Sequence, residues 1–312
     1  MAEARPVTVE VEGHRLRLSN LDKVLYPEAG VTKAEVIDYY TRISAALLPH
    51  LAGRPLTLKR YPNGVASQSF YEKNAPSHAP DWVRTVRLPV PGSTKGRDEI
   101  DFLVCDDLPT LVWVANLAAI ELHTPQWTVG PDGAVHGAGQ IVFDLDPGAP
   151  ATVAECCQVA VLLRERLDAD GLAGYPKTSG RKGLQVYAPV TETDPRQVSA
   201  YARELAVRLE RGHPDLVVSR MAKSLRTGRV LIDWSQNNAA KTTIAPYSLR
   251  AQDSPTVSTP LRWEEVSSGP PLVYTAPQVL ERVRRHGDLF AGVLGGGVEM
   301  PPRTVGSRGG QK

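Results

Sequence analysis

The chain reads as one mixed α/β (α+β) unit, with strands at its centre and helices packed outside. Three observations predict this. Capping boxes at Thr32-Lys-Ala-Glu35 and Thr152-Val-Ala-Glu155 each open a run with apolar residues at helical spacing. Short runs rich in β-branched and aromatic residues alternate with them, bounded by Gly, Pro and Asn. No internal repeat and no clean linker divides the 312 residues, which are enough for a large core.

Taken in order, Val7 to Leu18 alternates and breaks at Glu12-Gly13, the pattern of an N-terminal hairpin. The first capping box leads into Val36, Ile37, Tyr40, Ile43 and Leu47, one face of a helix. Leu56–Tyr61 is a strand ended by Pro62-Asn-Gly64, and residues 74–97 form a long loop with short extended pieces. The apolar run Leu108–Leu122 reads as a helix that delivers His123 near its end. Gln140–Asp146 is a strand, and the second capping box opens a helix to about Ala169. Strands at Tyr175–Thr178 and Leu184–Val190 flank a Gly-containing turn. Asp194-Pro195 starts a further helix closed by Gly212, with Pro at its first position. The strand Arg229–Trp234 is followed by an irregular segment to Pro271 and a helix near Pro277–His286. Residues 1–290 form the catalytic unit, and 291–312, rich in Gly, Pro and Arg, read as a disordered tail.

Composition excludes several classes. Apolar residues at 42% and charged residues at 22% are ordinary globular values. No stretch is long and apolar enough for a membrane span, and no signal-peptide pattern opens the chain, so the expectation is a soluble, cytoplasmic protein. Cys105, Cys156 and Cys157 form no C-x-x-C pair, which argues against a zinc ribbon or a disulfide framework. A net charge of +2 does not announce a nucleic-acid partner, but Lys and Arg gather at Leu58–Tyr61, Ser179–Gly183 and Met221–Arg229.

The chemistry centres on Asp144-Leu145-Asp146. Side chains alternate along a strand, so both carboxylates share a face about 7 Å apart while Leu145 points to the core. Such a pair can chelate hard divalent cations for phosphoryl transfer, although most Asp-x-Asp pairs only cap turns or face solvent. Asp233 follows three apolar residues on a second strand, where a lone carboxylate would be costly to bury without a cation. Ser179-Gly-Arg-Lys-Gly183 suits an anion-binding turn in which backbone N–H groups and Lys182 converge; a plain hairpin turn accounts for it equally. His123 is a candidate that a half-buried structural histidine would also explain. Of Phe70 and Tyr71, one could bury while the other stacks on a base, or both could pack in the core. Arg226 and Arg250 suit a phosphate, with surface ion pairing as the competing account.

In this order the pieces resemble the polymerase domain of bacterial ATP-dependent DNA ligase D, of the archaeo-eukaryotic primase superfamily. The carrying motifs are SNLDKVLYP at Ser19–Pro27, KRYPNG at Lys59–Gly64, FYEK at Phe70–Lys73, ELHTPQW at Glu121–Trp127, VFDLDPG at Val142–Gly148, TSGRKGL at Thr178–Leu184, IDWSQN at Ile232–Asn237 and TTIAPYSLR at Thr242–Arg250. The resemblance spans residues 15–290. It implies a primase-type core with two β-sheets flanking the active-site cleft, and template-directed addition of ribo- or deoxyribonucleotides to a primer 3′-hydroxyl during gap filling and non-homologous end joining. By that resemblance Asp144, Asp146 and Asp233 hold two cations, Mn2+ or Mg2+. Lys59, His123, Ser179, Lys182, Gln185, Arg226, Gln236 and Arg250 contact the incoming NTP or dNTP or order the metal site. Asn20, Lys23 and Lys33 hold a 5′-phosphate across a gap, and Phe70 and Tyr71 stack on template bases. The implied partners are gapped or end-overhang DNA, with Ku and a separate ATP-dependent ligase, and the implied state is a nucleoid-associated monomer. No ligase or nuclease segment is read in the chain, so a free-standing paralogue or an excised domain is expected.

One departure stands out: the family usually carries histidine at position 185, where this chain has glutamine. Glutamine keeps a donor but cannot become cationic, so weaker nucleotide affinity is expected rather than lost chemistry. Two other functions compete. One is a catalytically weak module that binds DNA ends through their 5′-phosphate; the other is a metal-dependent phosphodiesterase, opposed by the lack of a further His/Asp cluster. A replicative primase is disfavoured by the missing zinc-binding cysteines.

Overall fold

The computed structural model describes residues 6–90, 96–270 and 272–301. The hairpin β1 (Val7–Val11) and β2 (His14–Leu18) is followed by the short pair β3 (Val24–Tyr26) and β4 (Val31–Thr32). The long helix α1 (Lys33–Leu51) starts at the expected box: Glu35 N donates to Thr32 Oγ1, and Thr32 N to Glu35 Oε2 at 2.7 Å. Next come β5 (Pro55–Arg60), β6 (Phe70–Glu72), β7 (Thr85–Pro89) and β8 (Glu99–Val104). Of the segment 74–97, expected as loop with extended pieces, Thr85–Pro89 is thus a regular strand, with Val86 and Leu88 buried between exposed neighbours; residues 91–95 lie outside the described ones.

The expected helix over Leu108–Leu122 is in fact two elements. Helix α2 (Leu108–Asn116) stops at a turn in which Ala118 takes a positive φ of 56°, and β9 (Ala119–Thr124) follows, fully buried. A buried helix and a buried strand are both continuous apolar runs, and no Gly or Pro marks this junction. His123 therefore stands on a strand, not at a helix end.

Then come β10 (Trp127–Val129), β11 (Val135–Pro147), α3 (Val153–Ala169), β12 (Tyr175–Thr178), β13 (Leu184–Thr193) and α4 (Pro195–Gly212). The second capping box opens α3 as expected, and Asp194 caps α4. The chain continues through β14 (Val217–Val218), β15 (Val230–Asp233), β16 (Thr243–Ile244), β17 (Leu249–Arg250), β18 (Thr256–Val257), α5 (Trp263–Ser268) and α6 (Ala276–His286). The segment from 291, expected as disordered tail, begins ordered. Val293 is buried against Tyr187 and Phe290, and Thr191 N donates to Val298 O. Apolar residues between the glycines supply that anchor; residues 302–312 lie outside the described ones.

Two six-stranded sheets organise the molecule. One runs β12-β13-β11-β15-β14 with β10 beside β11; the other runs β16-β9-β5-β8-β7 with β6 beside β5. Phe143, Leu145, Leu184, Val186 and Ile232 of the first bury against Leu163 and Leu167 of α3 and Leu205 and Leu209 of α4. Leu56, Leu58, Ile120 and Leu122 of the second bury against Tyr40, Ile43 and Leu47 of α1 and Leu111 and Ala115 of α2. Each sheet thus gives one face to helices and keeps the alternate side chains for the other face.

Tyr40 fastens α1 to this core. Its hydroxyl donates to Ile120 O at 2.5 Å and accepts from Leu249 N at 3.1 Å. Tyr40→Phe leaves a buried carbonyl and a buried N–H without that partner, so a loss of about 1–3 kcal/mol is expected in urea denaturation.

Candidate functional site: a cleft between two sheets

Across the first sheet, one rung is polar from edge to interior. Lys177 on β12 pairs in register with Gln185 on β13, Gln185 with Asp144 on β11, and Asp144 with Asp233 on β15. Residues opposite each other on neighbouring strands share a face, so all of these side chains point away from the helices, as does Asp146 two residues on. Gln185 Nε2 donates to Asp144 Oδ1 at 3.0 Å. Asp233 accepts from Ser235 N and Oγ on Oδ1 and from Gln236 Nε2 on Oδ2 at 2.7 Å. Burial pushes the Asp144 carboxyl up, and the charge of Asp146 adds to the effect; Asp146 is itself raised by burial and by Asp233. Three hard-oxygen donors short of positive charge are the set that fits divalent cations. Among the described residues no three His, Cys, Asp or Glu side chains already converge on an ion position. Asp144 is held by Gln185, and Asp233 by Ser235 and Gln236.

The turn Ser179–Gly183 lies beside this rung. Gly183 is required there, since a Cβ would fall 2.2 Å from Leu145 O. The turn is not the open backbone nest expected from its glycines. Ser179 N donates to Gly183 O, Arg181 N and Gly183 N to Ser179 Oγ, and Gly180 N to Thr178 Oγ1, so these four amides are satisfied internally. What it offers an anion is the side chains of Arg181 and Lys182.

The second sheet faces this arrangement with another polar surface. Tyr71, Lys59 and Glu121 form one rung across β6, β5 and β9, and Thr57, His123 and Ile244 another across β5, β9 and β16. Glu121, only 1% exposed, is the hub. It accepts from His123 Nε2 at 3.1 Å and Ala251 N at 3.2 Å, with Arg250 at 3.4 Å and Arg181 at 3.6 Å. Burial alone would raise its carboxyl, but the His123 hydrogen bond and the charges of Arg250 and Lys59 hold it down at about 2. Burial also lowers His123. Arg250 and Lys59 keep Glu121 ionised, so we assign a neutral imidazole that donates from Nε2 and leaves Nδ1 as an acceptor.

Between the two surfaces lies a cavity of about 540 Å³. His123, Asp144, Asp146, Ser179, Lys182, Gln185, Gln236 and Arg250 of the expected residues line it. Asp233 stands one strand from Asp144, and Lys59 faces the same side beside Glu121. Arg226 is close enough to Asp146 to lower that carboxyl; Gly148 permits the approach, since a Cβ there would meet Arg226 O at 1.9 Å. Arg226 Nε and Arg250 Nε are buried without a hydrogen-bond partner, donors in keeping with an anionic ligand.

Asn20, Lys23 and Lys33 are elsewhere, in a second cavity of about 580 Å³ that also takes in Arg15, Arg17, Arg60 and His78. Lys33 Nζ donates to Ser19 O at 2.6 Å and Lys23 Nζ to Asn63 Oδ1 at 2.9 Å. Burial, then the charges of Lys23 and Arg60, push Lys33 down to about 8. Consecutive residues of β5 part company: Lys59 lies beside Glu121 and Tyr71, and Arg60 lines the second cavity. Phe70 and Tyr71 divide the same way, and neither buries, at 44% and 53% exposed. Phe70 lies under Arg60, whereas Tyr71 meets the edge of His123.

The family model of the LigD primase-polymerase domain matches residues 32–290. The chain belongs to this family. It is 46% identical over 278 residues to the multifunctional non-homologous end joining protein LigD of Mycolicibacterium smegmatis, covering 89% of this chain and 36% of that protein. The bifunctional non-homologous end joining protein LigD of Bacillus subtilis is 34% identical over 282 residues, 88% of this chain and 44% of that protein. The chain thus spans less than half the length of these LigD relatives. The polymerase domain from Mycobacterium tuberculosis Ligase D in complex with DNA superposes with a TM-score of 0.86 at 40% identity, over 90% of this chain and 98% of that one. The LigD polymerase fold, with two sheets and helices outside, is therefore the fold of this chain.

Glu121, Lys177, Arg15 and Arg17 were missed by reasoning from sequence, and Arg60 and Arg181 were read only as members of basic clusters. Glu121 and His123 are two apart, the signal for a shared strand face, which the helical reading of that run concealed. Glu121→Gln removes the charge that raises His123, so the imidazole is expected to titrate lower still in NMR. It also strips Arg250 of its buried counter-ion, at an expected cost of about 3–5 kcal/mol in denaturant unfolding.

Proposed function

We propose that this LigD-type domain is a template-directed polymerase that adds ribo- or deoxyribonucleotides to a primer 3′-hydroxyl at short gaps or broken DNA ends. The observation that carries the reading is the pairing of an aspartate rung with a basic wall across one cleft, beside a separate basic cavity. Asp144, Asp146 and Asp233 are the residues that would hold Mn2+ or Mg2+, two per site, which when bound supply Lewis-acid activation of the 3′-hydroxyl and offset charge on the leaving pyrophosphate. Arg250 and Lys182 line the cleft with donors for a triphosphate, Arg226 stands beside Asp146 and Lys59 beside Glu121, and Ser179 orders the turn that carries Lys182. His123, held by Glu121, presents its free ring nitrogen; an arriving polyanion raises its basicity and favours protonation. Gln236 orients Asp233. Asn20, Lys23 and Lys33 would hold the 5′-phosphate beyond the gap, with Tyr71 and Phe70 as exposed platforms for template bases. Ku and a separate ligase are the proposed partners, and the nucleoid the proposed location. Among the described residues no helix is long and apolar enough to cross a membrane.

The deciding experiment is primer extension on a gapped duplex with manganese and either nucleotide class. Extension that requires Asp144 and Asp146, and weakens without the 5′-phosphate, is expected. Tight phosphate-dependent binding with no extension would sink the polymerase reading in favour of an end-binding module.

The second cavity generates a pH prediction. Lys33 loses its proton near pH 8, well below a free lysine, so its attraction for phosphate is present below that pH and lost above it. The affinity advantage of 5′-phosphorylated over unphosphorylated ends, read by fluorescence anisotropy, is expected to shrink as pH rises from 7 to 9. Lys33→Met should remove roughly tenfold of that advantage at neutral pH, and an advantage insensitive to both changes would contradict the assignment.

A further inference from the structure

Lys177 has no place in the reading above, yet it is 0% exposed and ends the polar rung. Its ammonium donates to Gln185 Oε1 at 2.6 Å, Ser258 Oγ at 2.7 Å and Ile244 O at 3.0 Å. Ile244 offers a carbonyl, which can only accept. Ser258 gives its own hydroxyl hydrogen to Thr178 O at 2.9 Å, so towards Lys177 it too can only accept. Burial lowers Lys177 well below a free lysine while the charge of Asp144 opposes that; beside an ionised Asp144, the form that binds a cation, the ammonium's three donors meet three acceptors and leave no lone pair. Gln185 must therefore turn Oε1 to Lys177 and Nε2 to Asp144, where it donates at 3.0 Å. A glutamine amide has two nearly isosteric orientations; here a buried cation selects one of them.

We propose that Lys177 is a positioning residue for the carboxylate of Asp144, acting through the Gln185 amide. The same ammonium ties the two walls of the cleft together. Lys177 belongs to the sheet that carries Asp144, while Ile244 lies on β16, directly opposite His123 of the other sheet. One buried charge thus sets both the direction of a hydrogen bond to Asp144 and the spacing of Asp144 from the histidine wall. Burying a lysine this deeply carries a large desolvation cost, and a plain staple between sheets could be made by apolar side chains. Directional control of Asp144 is what only the cation supplies.

The inference rests on the polymerase reading for its consequence but not for its test. Manganese binding to the nucleotide-free protein, followed by the EPR signal of free Mn2+, needs no turnover. Lys177→Met keeps the side-chain length and removes the donors. It is expected to weaken manganese binding by roughly 10–100-fold and to lower kcat of gap filling by a similar factor, with binding of 5′-phosphorylated DNA at the second cavity unchanged. Gln185→Met should give the same losses, and the double variant should be no worse than the worse single one, because both act along one chain of bonds. Wild-type manganese affinity in Lys177→Met, or losses that multiply in the double variant, would overturn the proposal. If Lys177→Met loses 5′-phosphate binding and hence its fold, Gln185→Met decides alone, and unchanged manganese affinity there also overturns it. Wild-type protein that binds manganese without extending primers would refute the polymerase reading and leave this test standing.

Discussion

The pairing of β11 with β13 on one side and β15 on the other places Asp144 between Gln185 and Asp233, and the charges of the cleft are arranged around that line. Strand side chains alternate, so a slip of one residue at either pairing would turn carboxylates into the helix-covered core and leucines into the cleft. Nothing in the carboxylates holds the register, since they repel one another. The opposite face holds it: Phe143, Leu145, Leu184 and Ile232 fit against α3 and α4 only in the observed alignment. The apolar half of the sheet thus does the aligning that lets the polar half exist.

The two walls of the cleft solve opposite electrostatic problems. The aspartate wall gathers like charges, and burial with mutual repulsion raises Asp144 and Asp146. The facing wall gathers cations around Glu121, a carboxylate too deep to be stable without them. The wall where carboxylates crowd thus faces one rich in cations, with the cavity between them. A ligand carrying several negative charges and accompanied by divalent cations complements both walls at once, which neither wall does for the other across about 540 Å³ of open space.

Much of this was legible in the sequence where a local rule had a local mark. The capping boxes at Thr32 and Thr152, the Pro-started helix after Asp194 and the Asp-x-Asp strand each carry their signal within a few residues. The run from Leu108 to Leu122 defeated that approach because the turn at Ala118 has no punctuating Gly or Pro. That error hid Glu121, whose meaning depends on sharing a strand face with His123. Lys177 was invisible for a different reason. Its neighbours Gln185, Ile244 and Ser258 come from three separate segments, and only the folded chain shows a lysine with every proton taken. The second basic cavity likewise draws Arg15 and Arg17 from the N-terminal hairpin and His78 from a loop, residues with no spacing in common.

Lys59 and Arg60 are neighbours on one strand, Lys59 on the Glu121 side and Arg60 in the second cavity, and Tyr71 and Phe70 repeat the division on the strand beside it. Two adjacent positions in a β-strand cannot drift apart or draw together without breaking the ladder that holds them. The two sides are therefore joined through the sheet itself. In mechanical terms the domain is a caliper with fixed jaws. An object that reached both jaws would find their separation set by the strand pair, and a misfit in length would fall on the object.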